Sequence, residues 1–122
     1  MDRNLMHFIH TGDLGRIEEM VSAGFDLKPH LQEALSQAAF NSQINLVKYF
    51  INCGADVSAN ENHALRFATM MKSPFYGNLE VIDYLVKHGA DVNAIKDVRH
   101  PVIQEWVENF LATEPVKSVK QP

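Results

Sequence analysis

The chain has 122 residues, enough for one domain of ordinary size and not comfortably for two. It is 46% apolar and 21% charged, close to the average of soluble globular proteins, which excludes a wholly disordered chain and a disulfide-built miniprotein. A net charge of −4 gives no global attraction for a phosphate backbone, and the single Cys53 cannot form an internal disulfide.

The opening MDRNLMHFIHTGDLG carries charges and a glycine ahead of any long apolar run, which is not the pattern of a secretory signal peptide. No stretch approaches the ~18 uncharged apolar residues that span a bilayer. The reading is a cytoplasmic or otherwise intracellular protein without a membrane segment.

In chain order, the first clear element is a segment that recurs. Gly12 to Leu27 (GDLGRIEEMVSAGFDL), Ser42 to Val57 (SQINLVKYFINCGADV) and Gly77 to Val92 (GNLEVIDYLVKHGADV) align without gaps. Apolar residues fall at the same four places: Leu14, Ile17, Met20, Val21; Ile44, Val47, Phe50, Ile51; Leu79, Ile82, Leu85, Val86. Offsets of 0, 3, 6 and 7 set all four on one side of a helix. Gly24, Gly54 and Gly89 follow, each where a helix-ending glycine belongs.

A shorter match precedes each segment: LMHFI from Leu5, LSQAA from Leu35 and LRFAT from Leu65. Ala38 and Ala68, three residues after their leucines, suit a helix pressed closely on its neighbour. Each unit therefore reads as helix, short turn, helix, glycine cap and connector. A single unit has too little apolar surface to stand alone, so the units must stack into a solenoid.

These residues resemble the ankyrin repeat. Gly77 to Ala94 is close to that family's second helix and following turn, Ser42 to Ala59 is nearly as close, and Gly12 to Leu27 is a degenerate copy. The resemblance spans Asn4 to Leu111 and implies an all-α ankyrin-repeat solenoid of about three helix-turn-helix repeats plus a C-terminal capping helix. The expected bounds are one domain over 1–112, with repeats over 4–27, 31–57 and 62–92 and a cap helix over 100–112. Residues 113–122 read as a flexible tail, because they have no periodic pattern.

The family pattern is departed from in four places. Thr-Pro-Leu-His is replaced by Glu33-Ala34-Leu35-Ser36 and His63-Ala64-Leu65-Arg66, which removes the threonine and histidine that normally tie neighbouring turns and predicts a less rigid array. The connector after Val57 is about three residues short, a variation similar to ankyrin proteins of large DNA viruses. Five extra residues lie between Ala68 and Leu79, around Lys72 to Tyr76. The last unit is half present, opening at His100-Pro101 and carrying Trp106, Val107, Phe110 and Leu111.

The chemistry-bearing residues form no catalytic motif. His7 and His10 share a helix face but lack a third ligand at a metal-site spacing. His30, His63 and His100 fall near successive helix starts as a loose ladder, read as solvated turn residues. Cys53 lies at a helix C-terminal end, where the dipole gives a thiolate no help. The carboxylates Glu18, Glu19, Glu80 and Asp83 read as solvated faces, and the isolated glycines form no phosphate loop. Lys96, Arg99, Lys117 and Lys120 are interleaved with acids and have no aromatic platform, so no nucleic acid is expected. No enzyme activity, cofactor or metal is expected either.

What the resemblance implies is a non-catalytic module that binds another protein through its concave face and finger tips. Carried over by position, the candidate contacts are His10, Phe40, Asn41, Met70 and Met71 at the ends of first helices. The fingers add Lys28 and His30, Asn60 and Glu61, and Lys96 and Arg99. Phe75 and Tyr76, in the insertion, are large side chains that stacking does not require, and they join the expected surface. Two other roles follow the same residues: a small viral or bacterial inhibitor that occludes a host enzyme, and a structural homo-oligomer closed through Phe40 or Phe75 and Tyr76.

Overall fold

The computed structural model describes residues 2–70 and 76–119, with side chains for 2–70 and 78–113. Among them are seven α-helices, two short 3₁₀ turns and no strand. Helices α1 (Arg3–Thr11) and α2 (Leu14–Ser22) form the first hairpin, and α3 (Leu31–Phe40) and α4 (Ile44–Asn52) the second. Helices α5 (Ala59–Ala68) and α6 (Tyr76–Lys87) form the third, and α7 (Pro101–Val119) closes the stack. The 3₁₀ turns Lys28–His30 and Val92–Ile95 lie in the first and third connectors.

Local chemistry sets the helix ends. Asp2 and Asp13 each accept a backbone N–H from three residues on, Leu5 at 3.0 Å and Arg16 at 3.1 Å. Gly12 stops α1 at φ +73°, and a Cβ there would come within 2.6 Å of the Gln43 amide oxygen. The structure needs glycine at this place for its left-handed dihedral, whereas the Gln43 amide is the movable end of a long side chain. Gly24, Gly54 and Gly89 take φ of +107° to +117° after their helices.

One apolar core runs through all units. Leu5, Leu35, Leu65 and Ile103 have no exposed surface and mark the same place on α1, α3, α5 and α7. Ala34 and Ala38 are buried between α3 and its neighbours, where the absent side-chain bulk lets first helices approach. Of the repeated apolar set, Ile17, Val47, Phe50, Ile82, Leu85 and Val86 are buried, and the other six are partly buried against the core. Leu46 and Val81 are also buried, although the four-place pattern omits them. Those second helices pack against each other as well as against first helices. In the terminal α2 the same place is Arg16, which is exposed.

The ties expected to be lost with threonine and histidine are supplied by other residues. Gln32 clasps Asp56, donating from Nε2 to its carbonyl at 3.0 Å and accepting its N–H at 2.6 Å. Asn62, three residues before Leu65 as Gln32 is before Leu35, accepts the Asp91 N–H at 2.9 Å. Ser36 Oγ and His63 Nδ1 lie 2.8 Å apart across neighbouring units, a hydroxyl and an imidazole with their places exchanged relative to the family motif.

Beyond residue 112, where the cap helix was expected to stop, the backbone stays helical to Val119. It passes through Pro115, whose missing N–H leaves Leu111 without a helical donor. The expected tail thus begins inside α7, and 120–122 lie outside the described residues.

Candidate functional site

The buried leucines set a register from which the open face of the first helices can be read. Two residues before the buried apolar one stand Arg3, Glu33, His63 and Pro101. Two residues after it stand His7, Gln37, Phe67 and Glu105, and five after it His10, Phe40, Met70 and Glu108. None of the twelve is buried, whereas Ile9, Ala39 and Val107, one residue nearer the core, are. Three unburied rows therefore cross α1, α3 and α5, and α7 repeats the same pattern of burial. Two large apolar side chains stand open in them, Phe40 at 37% and Met70 at 53% exposure.

At the centre of this face is a groove of about 390 Å³ between α3 and α5. Pro29, Glu33 and Gln37 line one wall and Asn60, His63 and Phe67 the other. Its aromatic side is continuous. The Phe40 ring meets Phe67 edge-on at 6.1 Å, and Phe67 lies 4.1 Å from the His63 ring, which in turn meets Ser36. The arrangement offers an apolar ridge flanked by amide and carboxylate groups, which suits a protein side chain more than a small charged ligand.

The finger of the second connector is built from backbone strain. Asn60, Glu61 and Asn62, at the start of the range given for α5, all take left-handed dihedrals with φ of 55°, 58° and 61°, so the right-handed part of α5 begins after this kink. The Arg66 guanidinium holds the turn by donating to the Asn60 and Glu61 carbonyls at 3.1 and 3.0 Å. This tight turn is how the shortened connector still reaches the next helix.

The sequence-derived candidates are distributed as follows. His10, Phe40 and Met70 share one row, and His10 points Nδ1 at the Met6 carbonyl at 3.0 Å. Asn41 is half-buried and donates to the Gln37 carbonyl at 2.8 Å, an end-capping contact of α3. Asn60 borders the groove, and Glu61 is exposed beside it. Lys96 and Arg99 come together with Asp97, Pro101 and Gln104 around an open cleft of about 590 Å³. Gly89 and Ile103 are 14 residues apart, against 11 for Gly54 and Leu65, so this finger is the longer one. Met71 and Phe75 lie outside the described residues, and Tyr76 begins α6 with its side chain outside them.

Sequence reasoning missed Phe67, Gln37 and Glu33 as face residues. Counting two places either side of each buried leucine finds them. The supposed histidine ladder is not one environment: His30 stacks on Phe25, His63 meets Ser36, and His100 Nδ1 accepts the Val102 N–H. On α4, burial, then the neighbouring Cys53 and the Glu18 charge, hold the Tyr49 phenol above its ordinary range, so it stays protonated near neutral pH. Among the described residues no three His, Cys, Asp or Glu side chains are grouped to hold a metal, and no helix is long and apolar enough to cross a membrane.

Comparison with known proteins agrees with this geometry. A family model for ankyrin repeats in three copies matches residues 5–96. The palmitoyltransferase ZDHHC17 of Homo sapiens is 36% identical over 87 residues, 66% of this chain and 13% of that enzyme. The palmitoyltransferase AKR1 of Lachancea kluyveri is 30% identical over 86 residues, 66% of this chain and 12% of that one. An ankyrin repeat protein of Acanthamoeba polyphaga mimivirus is 43% identical over 44 residues, 36% of this chain and 30% of its own length. The chain thus spans less than a sixth of the palmitoyltransferases it matches, over a stretch about the length of the repeat stack. No solved structure matches at comparable significance. With three stacked hairpins, glycine-ended second helices and an open first-helix face, this chain belongs to the ankyrin-repeat family.

Proposed function

We propose that this protein is a non-catalytic module that binds a partner protein through its first-helix face and finger tips. Ankyrin repeats are generally protein-interaction modules, which sets the class. The observation that carries the specific reading is the row His10, Phe40 and Met70, open in three successive units, with Phe67 beside it. Exposed aromatic and methionine side chains at the centre of a polar face are what interface centres are made of. Lys28, Asn60, Glu61, Lys96 and Arg99 belong to the proposed rim, and Met71, Phe75 and Tyr76 are included in the proposed contacts from their sequence positions alone.

Site-specific photo-crosslinking tests this reading. A benzophenone side chain at position 40 yields a discrete adduct in cells, while one at the exposed Glu19 of α2 yields none. Adducts from position 19 alone, or from neither, contradict it. Phe75→Ser with Tyr76→Ser weakens the position-40 adduct if the insertion belongs to the surface, and leaves it unchanged if it does not.

In a second reading the module is a small viral or bacterial inhibitor, and its partner is an enzyme that it occludes. The adduct then contains an enzyme whose activity falls on titration with this protein.

A further inference from the structure

The polar residues lining the groove between α3 and α5 divide into engaged and open ones. Gln32 is engaged in its double clasp of Asp56, and Ser36 and His63 engage one another. Among the described residues, the Glu33 carboxylate and the Gln37 side-chain amide meet no partner, and they stand one helical turn apart on the α3 wall. The opposite wall offers the half-buried Phe67 and the exposed Asn60. Among the described lining residues Glu33 is the one acid, and there is no Lys or Arg.

Charges around the border nearly cancel. Lys28 precedes Pro29 and Glu61 follows Asn60, both exposed. Asp56 is held by Gln32, and the Arg66 guanidinium is occupied by the Asn60 and Glu61 carbonyls. On α1, Arg3 stands in the row of Glu33, beside Asp2, and forms no ion pair with Glu33. A ligand inside the groove therefore meets one unpaired carboxylate, amide oxygens and an aromatic side chain. A guanidinium answers all three: it donates in its plane to carboxylate and amide oxygens while its flat face packs on a ring. A carboxylate or phosphate would meet like charge at Glu33.

We infer that this groove receives an arginine of the partner segment, with Glu33 and Gln37 as acceptors, Phe67 as the stacking face and an apolar residue of the same segment over Phe40. This rests on the proposed function and deepens it by naming the partner side chain. The two subsites adjoin, since the Phe40 ring meets Phe67 at 6.1 Å.

Selection from a displayed library of random short peptides on the intact protein tests this. The expected winners share an arginine close to an apolar residue. Exchanging that arginine for citrulline, which keeps the shape and removes the charge, weakens binding about tenfold. In Glu33→Gln the same exchange costs under about threefold, because the carboxylate it addresses is gone. Glu33 also stands in the first turn of α3, where an acid favours the helix dipole, but that role predicts no coupling to the peptide's arginine. Phe40→Ser with Met70→Ser weakens the winners as well. Winners that depend on Phe40 and Met70 but share no arginine, or whose citrulline penalty is unchanged in Glu33→Gln, overturn the inference and leave the proposed function standing. Winners indifferent to Phe40 and Met70, or no winners at all, overturn both.

Discussion

At the scale of single residues, the second finger spends stability to save length. Three consecutive left-handed residues are rare in L-amino-acid chains, and asparagine tolerates the conformation better than glutamate does. Asn60 and Asn62 are therefore the cheap members of the turn and Glu61 the costly one. Glu61 also gains nothing from its side chain in folding terms, since it is exposed and Arg66 binds its backbone carbonyl. Glu61→Gly is expected to stabilise the fold by about 0.5–1 kcal/mol in urea titration, the relief of the strained dihedral less the extra freedom of the unfolded chain. A loss of stability instead means that the position is not left-handed. The sequence shows the shortened connector but not this solution, because Asn-Glu-Asn fits a right-handed helix start equally well. Arg66 illustrates the same limit. It occupies the family's histidine place, and its contact with a turn five and six residues earlier follows only once that turn exists.

Between elements, the joint from first to second helix is closed the same way three times with two kinds of donor. The Asp13 N–H reaches the Phe8 carbonyl at 2.8 Å, and the Gln43 N–H reaches the Ala38 carbonyl at 2.9 Å. In the third unit the aligned residue is Asn78, fully buried, and its side-chain Nδ2 donates to the Ala68 carbonyl at 2.5 Å. Five extra residues displace the backbone donor, and an amide side chain takes over its acceptor. The alignment of Asp13, Gln43 and Asn78 is visible in the sequence. That a side chain replaces a backbone group there is not, because it depends on the path of the chain between the helices. Asn78→Ala removes the donor and leaves a buried carbonyl, so it is expected to cost about 2 kcal/mol in denaturant unfolding. A change within 0.5 kcal/mol contradicts the joint. Asn78→Asp, which cannot donate from an ionised carboxylate, is expected to be worse than alanine.

Across the whole molecule, the repeated four-place apolar pattern made the stack legible, since only mutual covering buries Ile17, Val47 and Ile82 alike. The site was legible in part. Phe40 and Met70 stood out as large side chains the pattern did not use, and both prove open. Phe67 did not stand out, because its place on the face emerges only from the register that Leu5, Leu35, Leu65 and Ile103 share.

The account holds that the stack carries stability and the open row carries binding, so the two should separate in one variant. Phe40→Ser with Met70→Ser, measured for both melting and affinity toward the partner identified at position 40, tests this most directly. Melting within about 3 °C of the wild type with affinity reduced about thirtyfold or more is the expected result. Unchanged affinity, or a collapse in melting that accounts for the lost binding, would contradict it.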